Sequence, residues 1–199
     1  MAPSTRLVLC VGPSGAGKDT LLLGARHKLK DDPQIIFIHR CVTRLPNLCT
    51  PLEVSVTNDE FRSRSEAGDF ALEWHAHDTH YGILLADLDK ALTDAAGSEQ
   101  SSSVVLNVSR SIIGYVHRKY EKGLGYTVVC LNITASQETL KKRLLSRGRE
   151  SGSAVGTRLN RSAPIPDEVK MIHLQNDEGL SVEEGTDFVV QFMRGHIVS

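Results

Sequence analysis

Aromatic residues are scarce in this chain, at 5% of its 199 residues, and neither charge sign dominates, since the formal net charge is −1. Without an excess of Lys and Arg there is no broad basic face for a nucleic-acid backbone or an anionic membrane. Any cationic site must therefore be local. The length and the 40% hydrophobic content suit one compact domain, 1–199, that carries inserted segments, and a second full domain is not expected.

Paired CxxC spacing is also missing among the four cysteines, and Cys10 and Cys130 lie inside apolar runs. We interpret these cysteines as reduced core thiols. The chain starts with only a short apolar stretch before a glycine-rich turn, too short for a signal sequence or a membrane span. We therefore expect a cytoplasmic protein, whereas the sequence says nothing about its oligomeric state.

Apolar, β-branched runs alternate with stretches of helical periodicity, which predicts an α/β fold. The runs that predict strands are 7–11, 35–38, 104–108 and 127–133, and a helix is expected over about 18–30. Capping boxes predict further helix starts at Thr57 and Ser181. Leucines 140, 144 and 145 form an apolar stripe on another predicted helix, with Arg143 and Arg147 four residues apart on a common face.

The strongest motif is GPSGAGK at 12–18, which fits the GxxxxGK phosphate-binding loop between a buried strand and a helix. Glycines let successive backbone N–H groups point at a phosphate, and Lys18 adds a full positive charge. ATP or GTP is the expected phosphoryl donor. The residues predicted to bind it are Gly12, Pro13, Ser14, Gly15, Ala16, Gly17, Lys18, Asp19 and Thr20.

The position after the lysine departs from the usual motif. The Ser or Thr that ordinarily holds Mg²⁺ is replaced by Asp19, and Thr20 follows one place later. Asp19 and Thr20 are therefore the candidate Mg²⁺ ligands. An acidic residue at a helix N-terminus would equally stabilise the helix by about 0.3 to 1 kcal/mol, and both interpretations stay open.

Six short motifs follow one another in a characteristic order: GPSGAGKDT at 12–20, HRCVTR at 39–44, EWHAHDTHYGI at 73–83, LNVSR at 106–110, KRLLSRGRES at 142–151 and QND at 175–177. Together they resemble the guanylate-kinase-like P-loop kinases, and more closely the ribose 1,5-bisphosphate phosphokinases of bacterial phosphonate breakdown. The resemblance covers almost the whole chain. It implies a three-layer α/β/α fold with a central parallel sheet, an acceptor-binding insertion at about 40–95 and a lid at about 147–160.

The same resemblance implies transfer of the γ-phosphoryl group of ATP, with Mg²⁺, to the small molecule ribose 1,5-bisphosphate, giving 5-phosphoribosyl 1-diphosphate. Guanylate kinases carry an acidic residue where this chain has Asn107, Ser109 and Arg110. Neutral and cationic groups suit an acceptor with two phosphates, which a carboxylate would repel. The acceptor-binding residues that follow from the matched motifs are Arg44, Glu53, Tyr81, Gly82, Ser109 and Arg110.

Catalysis of phosphoryl transfer requires cations around the moving group, and we assign Lys18, Arg143, Arg147 and Arg149 to this role. Basic residues near a helix end would also complement the helix dipole, which is a real alternative for Arg143. Tyr81 is either an acceptor contact or a packing residue, and Trp74 is interpreted as packing. Asn176 and Asp177 either lie near the adenine or form an Asx turn. The three clustered histidines, His75, His77 and His80, lack the spacing of a zinc site.

Two other functions remain in competition. An ordinary nucleoside-monophosphate kinase, most simply for GMP, would share the fold and donor site but read a base. A guanylate-kinase-like binding module would have lost catalysis and would recognise a phosphorylated partner protein. The intact GxxxxGK loop disfavours the module, and the residues at 106–110 disfavour the GMP kinase.

Overall fold

The computed structural model describes residues 4–76, 78–146 and 168–197. The strands are β1 (Thr5–Val11), β2 (Ile35–Phe37), β3 (Arg40–Val42), β4 (Glu53–Ser55), β5 (Phe70–Ala76), β6 (Thr79–Leu84), β7 (Ser102–Asn107), β8 (Thr127–Thr134) and β9 (Lys170–Gln175). The α-helices are α1 (Lys18–Lys28), α2 (Asn58–Glu66), α3 (Leu85–Ala96), α4 (Ile113–Val116), α5 (Gln137–Ser146) and α6 (Val182–Met193). Short 3-10 turns occupy Pro46–Leu48 and Arg110–Ile112, and a π-helical stretch, His117–Gly123, continues α4.

The main sheet has five parallel strands in the order β2-β7-β1-β8-β9. Its central strand β1 is buried on both faces, because alternate side chains enter two different hydrophobic clusters. Val8 and Cys10 pack with α1, α5 and α6, whereas Leu7 and Leu9 pack with α3, α4 and the π-helical stretch. The predicted α/β/α arrangement of layers around a central parallel sheet is therefore confirmed.

A second sheet, in the order β4-β3-β6-β5, stands beside the main one. Strands β3 and β4 are parallel, and the other pairs are antiparallel. A small core of Cys41, Val56 and Phe61 closes this sheet against α2, with Phe70 stacked on Phe61 at 4.6 Å between ring centroids. The sheet lies inside the predicted acceptor-binding insertion, but α3, which falls in the same range, packs into the main core instead.

Local sequence signals predicted α1, α2, α5 and α6, whereas α3 and α4 were not predicted. Both predicted capping boxes are present, at Thr57 with Glu60 and at Ser181 with Glu184. Helix α1 ends at Lys28, two residues before the predicted end, because the backbone of Leu29 (φ −102°, ψ 12°) leaves the helical conformation and the chain then turns toward β2. The predicted leucine stripe on α5 is wrong in one residue, since Leu145 is 53% exposed. Within the described ranges, no helix combines the length and the apolar character needed to cross a membrane.

Candidate active site

The GxxxxGK segment forms the loop between β1 and α1, at the carboxyl end of the main sheet. Gly12 has φ 141°, and a β-carbon there would overlap the carbonyl oxygen of Ile133 in β8. Gly17 has φ 87°, and a β-carbon there would overlap the side-chain amide of Asn176. The amide Nδ2 of Asn176 donates to the carbonyl of Ala16 at 2.8 Å. The loop is thus fixed by backbone packing on one side and by one buried amide on the other.

Lys18 folds back over this loop, where its ammonium donates to the carbonyls of Gly12 at 2.7 Å and Pro13 at 3.0 Å. Burial lowers the pKa of Lys18 from 10.5 to about 8, and Asp19 opposes that shift. The positive charges of Arg40 and Arg110 lower the pKa further. Lys18 lines one pocket together with Arg40 and Arg44, so three cations converge on one space.

Asp19 begins the first turn of α1 and faces the same space. Its Oδ1 accepts from Asn107 Nδ2 at 2.7 Å and from Arg40 Nη2 at 3.5 Å. Magnesium prefers oxygen ligands such as carboxylates, and Asp19 lines the pocket beside the phosphate loop. The residues present therefore fit a Mg²⁺ ion, with Asp19 as the side chain that would hold it. Thr20, the other predicted ligand, is exposed, and its role stays a prediction.

The opposite wall of the pocket is a cluster of charged side chains on the second sheet. The side chain of Glu53 is fully buried, and its Oε1 accepts from Arg40 Nη2 at 2.7 Å and Nε at 3.1 Å. Arg44 approaches the same carboxylate at 3.4 Å, and its Nη2 donates to the hydroxyl of Tyr81 at 2.8 Å. One carboxylate thus orients two guanidinium groups beside the phosphate loop.

Aromatic rings cover this wall. Trp74 stacks on Tyr81 with 5.4 Å between ring centroids and 4° between planes, and both residues line the pocket. Arg40 lies over the Tyr81 ring at 5.2 Å from its centroid. Gly82 faces the other way, since a β-carbon there would overlap the ring of Phe70. Any acceptor contact by Gly82 must therefore come from its backbone.

These groups enclose a polar cavity of about 180 Å³. Ser109 lines it and caps the turn Arg110–Ile112 by accepting from the N–H of Ser111 at 3.2 Å. The described residues that line the cavity are Gly12, Ser14, Gly15, Gly17, Lys18, Asp19, Arg40, Arg44, Trp74, Ala76, Tyr81, Val108 and Ser109. Donor-loop residues and predicted acceptor residues therefore share one pocket.

The predicted catalytic arginines have different outcomes. Arg143, on α5, points toward the phosphate loop and places Nη1 3.5 Å from the carbonyl oxygen of Gly15. Arg147 and Arg149 lie outside the described residues, as does the predicted lid at 147–160. Among the three histidines, His75 and His80 face each other across the β5–β6 hairpin with 4.6 Å between ring centroids. His77 also lies outside the described residues.

Asp177 lies at the turn after β9, where its carboxylate joins β9 to the start of α5. Gln175 Nε2 donates to it at 2.6 Å and the backbone N–H of Ser136 at 2.7 Å, and these bonds lower the pKa of Asp177 to about 2. Asn176 and Asp177 thus hold the donor loop and its neighbouring turn in place.

Sequence reasoning missed Arg40, interpreted Trp74 as a packing residue, and gave Asn176 either a place near the adenine or an Asx turn rather than a bond to the donor loop. Arg40 lies in the HRCVTR motif, and residues 40 and 44 are an even number apart. Arg40 thus lies four residues from the predicted acceptor contact Arg44 in a motif already singled out, so a signal for Arg40 existed. The stack of Trp74 on Tyr81 depends on the pairing of β5 with β6, and the bond from Asn176 to the loop spans 160 residues. Composition and spacing carry no such signal for these two.

Comparisons with known proteins find relatives that match most of the chain. The chain is 42% identical over 163 residues to "Ribose 1,5-bisphosphate phosphokinase PhnN" of Rhodopseudomonas palustris, covering 81% of this chain and 77% of the relative. It is 36% identical over 158 residues to the protein of the same name from Pectobacterium atrosepticum, covering 79% and 77%. No protein-family model matches the chain.

A longer relative and a solved structure complete the comparison. "Bifunctional ribose 1,5-bisphosphokinase-thymidine phosphorylase" of Cupriavidus pinatubonensis is 38% identical over 186 residues, and this chain spans 28% of its length. The crystal structure of guanylate kinase from Anaplasma phagocytophilum superposes with a TM-score of 0.60 at 16% identity, covering 98% of this chain and 87% of that one. At this identity the match shows the shared fold alone.

Proposed function

The chain belongs to the ribose 1,5-bisphosphate phosphokinase family, and from that premise we propose that it transfers the γ-phosphoryl group of ATP to ribose 1,5-bisphosphate. The products are ADP and 5-phosphoribosyl 1-diphosphate. An oxygen of the acceptor's 1-phosphate attacks the γ-phosphorus of ATP, and the bond to the bridging oxygen of ADP breaks. Because ATP is the donor, a cytoplasmic location is part of the proposal.

One observation carries the proposal: the cations that converge on the pocket. Lys18 lies in the field of Arg40 and Arg110, and Arg44 lines the same cavity. The acidic partners Asp19 and Glu53 are already engaged by arginine. Asn107 and Ser109 replace acidic character at the end of β7 with neutral groups. Such a pocket favours an acceptor with several negative charges, as a sugar bisphosphate has.

The residues divide between the two substrates. The loop N–H groups and Lys18 bind the donor phosphates, and Arg143 neutralises the transferred group from the opposite side. Arg147 and Arg149 have the same role in the proposal. Asp19 would hold Mg²⁺, which would supply positive charge to stabilise the donor phosphates. Arg44, Tyr81, Ser109 and Arg110 hold the acceptor with one phosphate in line with the γ-phosphorus.

The experiment that tests this function is Mg²⁺-dependent release of ADP from ATP with ribose 1,5-bisphosphate, GMP, AMP or no acceptor. Phosphorus NMR identifies the product. We expect turnover with ribose 1,5-bisphosphate and a diphosphate at one sugar position. Turnover with GMP alone would instead establish a nucleoside-monophosphate kinase. Binding of ATP without turnover of any acceptor would favour a binding module.

A further inference from the structure

Glu53 cannot reach a ligand in this structure. Its side chain has no exposed surface, and both carboxylate oxygens accept hydrogen bonds from the protein. Arg40 donates twice to Oε1, and the backbone N–H of Thr50 donates to Oε2 at 2.9 Å. Arg44 lies near both oxygens. A carboxylate so enclosed acts on the acceptor only through the arginines that it holds.

Arg40 is the centre of this arrangement, with a side chain only 11% exposed. It sends Nε and Nη2 to Glu53, Nη1 to the carbonyl of Asn107 at 3.2 Å and Nη2 also to Asp19 at 3.5 Å. Four of its five N–H donors are thus bound to protein groups. The contacts join the second sheet, the end of β7 and the first turn of α1. A single planar cation therefore touches elements from both substrate sites.

We propose that Arg40 and Glu53 are positioning residues that form one brace between the two substrate sites, fixing Arg44 for the acceptor phosphate and Asp19 for the donor side. This inference rests on the proposed function. It changes the expected role of Glu53 from a substrate contact to a support for Arg44. It also adds Arg40, which has no counterpart among the residues predicted from the sequence.

The brace makes a prediction opposite to that of simple electrostatics. Glu53→Gln removes a negative charge from a pocket that binds anions, so charge alone would tighten acceptor binding. In the brace, the same change replaces one carboxylate oxygen with an NH₂ group that cannot accept a hydrogen bond, so two guanidinium groups are held less firmly and a buried cation loses its negatively charged partner. Acceptor binding should therefore weaken although the pocket becomes more positive.

The test compares Glu53→Gln and Arg40→Lys with wild type, using KM for ribose 1,5-bisphosphate and calorimetric binding of Mg²⁺-ATP without acceptor. Glu53→Gln is expected to raise the acceptor KM about tenfold and to leave Mg²⁺-ATP affinity within about twofold. Arg40→Lys keeps the charge but cannot span three partners. It should raise the acceptor KM by about tenfold and lower the affinity for Mg²⁺-ATP by about fivefold.

Matched controls carry the same chemical change outside the brace. Glu66→Gln removes an exposed carboxylate from α2. Arg26→Lys alters an exposed arginine that bonds Pro51, close in sequence to Glu53. Both should stay within about twofold of wild type in KM for each substrate, since neither residue touches the pocket. Thermal unfolding of every variant separates loss of fold from loss of positioning.

Several outcomes would overturn the inference. An acceptor KM for Glu53→Gln at or below the wild-type value would show that charge, not positioning, governs this wall. If Arg40→Lys raised the acceptor KM without changing Mg²⁺-ATP affinity, Arg40 would be a contact to the acceptor only, and its bond to Asp19 would have no role in donor binding. If Glu53→Gln does not fold, Arg40→Lys decides the question by itself. If the wild-type chain does not use ribose 1,5-bisphosphate, the proposed function fails, and Mg²⁺-ATP binding by Arg40→Lys still tests the donor half.

Discussion

The donor loop and the acceptor wall line the same pocket but are built from different parts of the chain. The loop uses backbone atoms, held where Gly12 touches the backbone of β8 and Asn176 bonds Ala16. The wall uses side chains, with Arg40 and Arg44 oriented by Glu53. A site built from closely packed backbone atoms tolerates almost no added atoms. In a site built from side chains, substitutions change specificity without changing the fold. Variants in the two regions should therefore fail in different ways.

The largest expected effect is on turnover, from Lys18, the cationic side chain of the donor loop. Lys18→Ala should lower kcat by about 10² to 10³-fold, because the donor phosphates lose their fixed positive charge. The protein should remain folded. Lys28→Ala is the control. Lys28 is an exposed lysine on the same helix as Lys18, and it pairs with Glu183 and Asp187 of α6. Its removal should leave kcat near normal. Steady-state assays at saturating substrates measure this, and near-normal turnover by Lys18→Ala would refute the donor assignment.

The backbone character of the loop is tested by Gly12→Ala. The added methyl group would overlap the carbonyl of Ile133, which belongs to a central strand and cannot move aside cheaply. We expect the free energy of unfolding to fall by about 3 kcal/mol. Gly125→Ala separates packing from conformation, because Gly125 also has a positive φ but has no heavy atom within 4 Å of the added position. In urea unfolding, the control should lose only about 1 kcal/mol of its free energy of unfolding. Equal losses for the two variants would contradict the packing argument.

The side-chain character of the acceptor wall is tested by Arg110→Ala. Arg110 follows Ser109, which lines the shared pocket, and its positive charge lies close enough to Lys18 to lower the pKa of that lysine. Its loss should raise KM for the acceptor about tenfold and change KM for ATP by less than about threefold. Arg118→Ala removes an exposed arginine further along the chain and should change neither. Equal increases in both KM values would mean that Arg110 serves the donor phosphates instead.

The two regions also differ in how far the sequence could predict them. The loop motif was predictable, since the glycines, the lysine and the strand before them are consecutive, but the bond from Asn176 that holds it was not. The buried strands and both capping boxes are equally local signals. The acceptor wall was predicted only in part, through Arg44, Glu53 and Tyr81, because its function depends on which strands pair. Arg40 reaches Asp19 and Asn107 only after two sheets have packed, and no local pattern contains that information.

The smallest expected effect is the contribution of Lys18 to the free energy of unfolding, which depends on pH. Lys18 has its pKa lowered to about 8, against 10.5 for an ordinary lysine, so the folded state disfavours its charged form. Below pH 8 the amine is protonated in both folded and unfolded protein, and folding bears the whole cost of that charge. Between pH 8 and 10.5 the folded protein releases its proton first, so the cost declines as the pH rises.

Lys18→Met should therefore be more stable than wild type at pH 7, by about 1 to 2 kcal/mol once solvent screening of this half-buried group is allowed for. The difference should shrink as the pH approaches 10.5. Urea unfolding of the two ligand-free proteins at pH 7 and pH 10 measures it, and groups that titrate in both proteins cancel. A difference that stays constant or grows with pH would mean that the loop carbonyls stabilise the ammonium. In that case the charged ammonium of Lys18 would not destabilise the ligand-free donor site.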